Sequence, residues 1–556
     1  TLSEQAGSII PFDLSVNHLK LITDAPGKPP RPPLPPRASS ASVSEDFLPV
    51  VRQKDITFRW RHQPKVGSST EHAARVTAYR IMARRMLGDG TLLWDSDKVG
   101  IAEEEEIPYS IPWPTQEPTT TLPKAGEIIQ WKITLWDVAD AAHSSTWSKF
   151  AVGPSEFSDW EGHWIVHPVD MKSFSKDEKV STTASTTACE RWKKRRSLPI
   201  FRAQISSQAL FSSIDDEEDP LVSALLVVSG LGSFRVSMDG VPLSASGPID
   251  PPFTDYTKRV MYRGFDVTAF LVGEGASKNA HAIGITMGSG WWDHRPLDAG
   301  IVKFKLLPRG PATVVAQLYL TTSKGNVHIV MPTQGSGTAK STWQVTRGHI
   351  RESDLFTGEI VDVGVMSAME GWDTPDAKVE LETEQWVSPV NYHTDVTPQS
   401  RKEEIAMLAK AKARTSKKRT YENFASPIGR LVPSEIPPIL PMEHIDPEEI
   451  HDLGSGRWLF DFGKAFSGML HFSRGLPTPI TPDTYPRAHG FKAATAQGDS
   501  FITVIYGESL EMTTGDINRV LVAGMGLHDG GPRHVSKEAG AQDTTPCFPD
   551  DHDDIL

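Results

Sequence analysis

The amino-acid sequence predicts an all-β protein made of several β-sandwiches. Apolar residues recur in short alternating runs, the period of a half-buried strand. Clusters of Gly, Pro, Asp and Ser separate the runs and turn the chain. No apolar pattern of helical period is sustained over a long segment, so a domain of packed helices is not expected. A chain of 556 residues is too long for one hydrophobic core; about three to four domains are expected.

Residues 1–45 read as an N-terminal segment and linker. From Ala25 to Ser44 the chain is rich in Pro, Ala and Ser, which favours an extended polyproline II conformation. Such a segment can also dock a proline-binding partner. Residues 46–158 read as the first sandwich. Its strands include Ile56 to Trp60, Thr77 to Met82 and Leu92 to Trp94, with Gly88-Asp89-Gly90 as a turn. Ile129 to Trp136 places Ile129, Trp131, Ile133 and Leu135 on one face. A small fibronectin type III-like sandwich fits this spacing.

Residues 159–370 read as a second β-rich domain, with an insertion at about 172–197 where Ser, Thr, Lys and Arg dominate and disorder is expected. The basic run Arg191 to Arg196 within it reads as a solvated loop or a localisation signal. Strands are expected at Ala224 to Val228, Phe234 to Met238, Ala282 to Met287 and Val314 to Leu320. Asp239-Gly240 is the tight turn of a hairpin. Residues 371–530 read as a third β-rich region, incomplete, with a charged insertion at about 398–443. Strands resume at Arg457 to Gly463 and Phe501 to Tyr506. The tail, 531–556, shows no periodicity and is expected to be disordered.

Composition excludes several function classes. A net charge of −13 leaves no domain-wide basic surface for nucleic acid. Cys189 and Cys547 lie far apart and form no metal-binding spacing or disulfide framework. No apolar run approaches the roughly 18 residues that span a bilayer as a helix. The chain begins with Thr rather than Met and shows no signal pattern, as a processed product or fragment would. Fifteen Trp against nine Tyr suits both sandwich cores and sugar-stacking surfaces.

The order of these runs resembles the α-L-rhamnosidases of glycoside hydrolase family 78. In the first domain the resemblance rests on Tyr79-Arg80-Ile81, Trp94-Asp95-Ser96, Trp131-Lys132-Ile133, Trp136-Asp137 and Thr146-Trp147-Ser148. The joint Asp159 to Ile165 is similar to that family's as well. In the second domain it rests on Pro199 to Arg202, Gly230 to Gly240, Thr254 to Tyr262, Phe265 to Thr268, Gly288 to Trp292 and Asp354 to Asp362. Asp461 to Gly468 and Tyr506-Gly507-Glu508 carry it into the third region. The resemblance implies a fibronectin-like sandwich, a jelly-roll-like sandwich and part of a concanavalin-like sandwich.

Members of this family hydrolyse terminal α-L-rhamnose with inversion, using carboxylates of an (α/α)6 barrel. Inversion needs two carboxyl groups about 6.5–9.5 Å apart with water between them. The resemblance places that barrel after the Tyr506 strand, where fifty residues remain. This chain by itself is therefore expected to be inactive. The carboxylate runs Glu103 to Glu106 and Asp550 to Asp554 offer no substitute, because neighbouring like charges on flexible segments cannot be held in acid/base geometry.

Some family members bind rhamnose through calcium in the second sandwich. The resemblance carries that site to two loops here, one with Asp239 and one with Ser289, Trp291, Trp292, Asp293 and His294. Asp239 is the expected calcium ligand, since Ca²⁺ takes carboxylate and carbonyl oxygens; Trp291 is the expected stacking surface. Asp239 and Ser289 stand where the family tends to have Asn, and Ser289 is the poorer ligand. The competing reading makes Asp239-Gly240 a plain turn and Trp291 core. The expected function is a non-catalytic, rhamnoside-binding or substrate-positioning front of a glycoside hydrolase. The alternatives are a stand-alone carbohydrate-binding protein, or an interaction module without sugar chemistry.

Overall fold

The computed structural model describes residues 9–17, 19–20, 47–64, 75–86, 92–102, 110–114, 121–156, 159–175, 197–212, 214, 218–243, 250–256, 258–273, 275, 278–292, 310–335, 342–354, 358–377, 385–392, 429–439, 445–454, 457–464 and 466. Outside them lie the Pro-rich segment, both cysteines, most of the two insertions, the Phe501 to Tyr506 run, the tail, and the carboxylate runs. The described chain is mostly strand, with a few short helices.

Two sheets form the first sandwich. One orders the strands Leu19–Lys20, Ile9–Val16, Thr57–Pro64 and Ile111–Pro112. The other orders Val50–Arg52, Ser148–Gly153, Ile128–Asp137, Val76–Arg85 and Leu92–Asp95. Alternation in Ile128–Asp137 turns Trp131, Ile133 and Leu135 into a core with Phe58, Trp60, Trp94, Trp113 and Phe150. The rings of Phe58 and Trp131 are 4.7 Å apart. Ile9–Val16, expected in the segment ahead of the domain, instead pairs antiparallel with Thr57–Pro64 inside the sandwich.

The second sandwich opposes a larger and a smaller sheet. The larger orders Val390–Asn391, Ile165–Val166, Thr313–Thr322, Leu221–Leu231, Arg259–Asp266 and Arg430–Pro433. The smaller orders Val241–Pro242, Ser233–Met238, Ala280–Gly288, Pro199–Ser206 and Trp343–Arg347. Their shared core includes Phe201, Leu226, Val236, Ile283, Ile285, Leu318 and Trp343. Val390–Asn391 and Arg430–Pro433, expected in the third region and its insertion, are strands of this second sandwich.

Leu221–Leu231 shows why a nearly continuous apolar run can still be a strand. Leu226 and Val228 face the domain's own core. Leu225 and Val227 face the other way, onto Val50, Ile128 and Ala151 of the first sandwich. A strand buried on both faces cannot alternate with polar residues. Polar contacts frame this apolar seam. Arg85 pairs with the fully buried Glu127 at 2.5 Å, Lys149 with Asp266 at 2.7 Å, and the Tyr262 hydroxyl donates to the Pro154 carbonyl at 2.8 Å. Of the third region, the described part is mainly the hairpin of Glu449–Gly454 and Arg457–Asp461.

Candidate functional site

The loops expected to share one site lie at opposite ends of the second sandwich. Ser233–Met238 runs antiparallel to Ala280–Gly288, with Met238 beside Ile283 and Ser233 beside Gly288. The Asp239 N–H donates to the Ala282 carbonyl, so the hairpin turn sits at the start of the longer strand. Ser289 follows its other end. Ser289 lies seven steps along the chain from Ala282, which at about 3.3 Å each is roughly 23 Å. Asp239 and Ser289 therefore do not form one site.

Around Asp239 the geometry is internal. This residue occupies the left-handed region, φ 52°, as a short polar side chain at a turn can. Its fully buried carboxylate accepts the Ala282 N–H at 2.8 Å and the Lys278 ammonium at 2.9 Å. His281 Nδ1 lies 3.0 Å from the same oxygen as the ammonium. Burial by itself raises this carboxyl, but the hydrogen bonds from His281, Lys278 and Ala282 outweigh that and hold it below the usual range. A calcium ion would need six to eight uncommitted oxygens. Here the carboxylate is surrounded by nitrogen groups, one of them a cation. The residues present do not fit calcium, and the expectation of Asp239 as its ligand is corrected on that ground.

The opposite end is aromatic. Gly232 and Gly290, both at positive φ, let two loops cross closely: a Cβ on Gly232 would stand 2.5 Å from the Gly288 carbonyl oxygen. Ser289 is buried in this crossing. Trp292 is fully buried and donates its indole N–H to the Pro311 carbonyl at 3.0 Å. It packs edge-on to the buried Tyr256, ring centroids 5.7 Å apart. Trp292 is thus a base rather than a contact surface. Trp291 is half-buried, and its ring lies 5.0 Å from Phe253, which is 44% exposed. Asp293 and His294 lie outside the described residues.

Phe253, which the sequence reading missed, is held from both sides. Three residues before it, the Asp250 carbonyl accepts the Phe234 N–H. The Asp250 carboxylate takes two hydrogen bonds from Arg263, at 3.0 and 2.7 Å, with both side chains buried. Just after it, Thr254 Oγ1 donates to the Arg259 carbonyl at 2.6 Å and closes a turn. Tyr256 stands edge-on to Phe253 at 5.9 Å. The platform is therefore two partly exposed rings, Phe253 and Trp291, on a rigid buried base of Tyr256 and Trp292. Such a pair offers apolar faces to the C–H side of a sugar ring. Asp255 and Lys258, paired at 3.2 Å and exposed, stand on the same turn with hydrogen-bonding groups.

Among the described residues no group of three or more His, Cys, Asp or Glu could hold a metal ion. No described helix is long and apolar enough to cross a membrane.

Comparison with known proteins supports the architecture. Residues 219–411 match the family described as "Alpha-L-rhamnosidase N-terminal domain". A curated α-L-rhamnosidase from Alteromonas sp. (strain LOR) is 25% identical over 348 residues, covering 61% of this chain and 32% of its own length. One from Formosa agariphila is 22% identical over 388 residues, covering 68% of this chain and 33% of its own. The chain thus spans about a third of the length of these curated relatives. The crystal structure of a Streptomyces avermitilis α-L-rhamnosidase complexed with L-rhamnose aligns with a TM-score of 0.50 at 12% identity. It covers 82% of this chain and 49% of that one, a likeness of fold. The matched stretch, 219–411, takes in the aromatic end and most of the second sandwich. Residues 219–411 are thus similar to the α-L-rhamnosidase N-terminal domain, within a chain that is mostly strand and similar in part to those rhamnosidases.

Proposed function

We propose that this chain is the non-catalytic front of an α-L-rhamnosidase-like glycoside hydrolase, and that its second sandwich captures or positions a rhamnose-containing glycoside. The observation that carries this reading is the Phe253–Trp291 pair. Two half-open rings stand on fully packed aromatic supports at one end of a sandwich. Two partly exposed ring faces on packed aromatic supports suit ligand stacking. The solved relative complexed with L-rhamnose and the two curated rhamnosidases make L-rhamnose the sugar to test first.

Calorimetric titration with L-rhamnose tests the reading. Binding by the wild-type chain should weaken at least about tenfold in Phe253→Ala and in Trp291→Ala, equal to about 1.4 kcal/mol. The supports Tyr256 and Trp292 are untouched in those variants, so their folding should survive. Full binding by both variants, or none by the wild type, would sink the proposal. An assay on an aryl α-L-rhamnoside should give no turnover with this chain.

A further inference from the structure

The geometry points to a sandwich whose folding and sugar capture need no divalent cation, because Lys278 supplies a tethered positive charge at Asp239. The sugar half of this inference rests on the function proposed above; the folding half does not.

Asp239 is the one acidic residue of the Met238–Val241 hairpin, and its carboxylate is fully buried. A buried carboxylate must be paired or coordinated to remain ionised. Either a metal ion or a side-chain cation can meet that need. Here the Lys278 ammonium does so at 2.9 Å, with the Ala282 N–H and His281 Nδ1 completing the shell. All three neighbours are nitrogens. The two that certainly donate, the ammonium and the amide, direct positive charge at the carboxylate, so a calcium ion entering there would have to expel them.

The Lys278 side chain is 47% exposed, and its backbone is tied into the domain. Lys278 extends over the Phe270 ring, its Nζ 5.8 Å from the centroid. The carbonyl of Lys278 accepts the Ser207 hydroxyl, and the neighbouring Asn279 carbonyl accepts the Ser207 N–H at 2.9 Å. Ser207 opens the short helix Ser207–Phe211, whose Leu210 lies in the domain core. The hairpin, the strand at His281 and this helix therefore converge on the Asp239–Lys278 pair. A mobile ion would hold the hairpin alone, whereas the lysine ties three elements together.

Among the described residues of the aromatic end, the Asp255 carboxylate pairs with Lys258 at 3.2 Å. Asp250, the buried acid there, is taken by Arg263 through two hydrogen bonds. The Asp239 pair stands roughly 23 Å away along the strand. Stacking on Phe253 and Trp291 then proceeds without an ion bridging sugar and protein.

The test uses the whole chain. Thermal unfolding is followed in CaCl2 and in EGTA, and L-rhamnose is titrated in both buffers. The expected result is the same Tm and the same Kd in each. Lys278→Met, which keeps the stem over Phe270 and removes the charge, should lower Tm equally in both buffers; Lys278→Arg should restore most of the loss. A wild-type Tm that rises with CaCl2, or rhamnose binding that EGTA abolishes, overturns the inference, and so does a Lys278→Met variant as stable as wild type. Should Lys278→Met fail to fold, the wild-type comparison and Lys278→Arg still decide. Should rhamnose bind in neither buffer, the sugar reading falls and the Tm comparison still decides the cation question.

Discussion

Replacing Arg263 with Met removes the cation that anchors the loop carrying Phe253. Arg263 and Asp250 are each about 5% exposed at the side chain, and two hydrogen bonds of 3.0 and 2.7 Å join them. A further Arg263 N–H donates to the Ile436 carbonyl at 2.7 Å, and the guanidinium lies 5.4 Å from the Phe47 ring. Arg263→Met roughly preserves the volume of the stem and leaves the Asp250 carboxylate buried and unpaired. Breaking a buried pair from one side costs about 3–5 kcal/mol. For a domain of this size that corresponds to a fall in Tm of about 6–20 °C. Asp250→Asn on its own should cost less, since it leaves a cation with another acceptor. The double variant should be less destabilised than the sum, because no buried charge is left without its partner. Urea or thermal unfolding of the four proteins measures the coupling. Strict additivity, or a loss below about 1 kcal/mol for Arg263→Met, would refute the view of this pair as the loop's buried anchor.

Other outcomes follow from the same geometry. The Asp219 carboxyl is raised by burial, but hydrogen bonds from the Lys324 N–H, Thr322, Asn326 and Ser323 outweigh that and hold it at about 2. A folded value below the unfolded one gives stability that is present above the unfolded carboxyl range and lost as pH falls toward the folded value. Asp219→Asn should therefore cost about 1–2 kcal/mol near neutral pH, allowing for solvent screening, and progressively less between about pH 4 and pH 2; a pH series of urea midpoints checks it. Gly232→Ala should disturb the aromatic end, since φ is 102° and its Cβ would meet the Gly288 carbonyl oxygen at 2.5 Å. A cost of about 1–3 kcal/mol is expected, with weaker rhamnose binding in the same variant by calorimetry. Trp131→Ala, in the first sandwich, should cost about 3–5 kcal/mol by thermal unfolding while leaving Phe253 and Trp291 in place.

Much of the architecture was legible because strands betray themselves by period. Trp131, Ile133 and Leu135 alternate as a one-face strand must, and the structure buries all three. Ala224 to Val228 was legible as a strand, which the structure extends to Leu221–Leu231, but its partners were not. Nothing local says that Leu225 and Val227 meet the first sandwich while Leu226 and Val228 meet their own core. The sheet partners of three other strands were hidden for a related reason. Ile9–Val16, Val390–Asn391 and Arg430–Pro433 find their sheets across long stretches of chain, and such pairings leave no local mark.

The candidate site was legible only in part. Trp291 followed from its loop, and the structure leaves it half open. Asp239 misled because an Asp-Gly turn looks alike whether its carboxylate faces calcium or a lysine 39 residues on. Which end of a strand a loop occupies is a matter of register, and the antiparallel pairing of Ser233–Met238 with Ala280–Gly288 sent Asp239 and Ser289 apart. Phe253 was missed because it lies in no alternating run. Its one sequence signal is Pro251-Pro252 immediately before it.

Indole N–H resonances of the chain labelled with ¹⁵N at its fifteen Trp residues report on the proposed sugar contact residue by residue. On addition of L-rhamnose, the Trp291 signal should shift progressively to saturation and be lost in Trp291→Phe. The Trp292 signal, held by its hydrogen bond to Pro311, should stay in place. A Trp291 signal that stays fixed while rhamnose demonstrably binds would contradict the account.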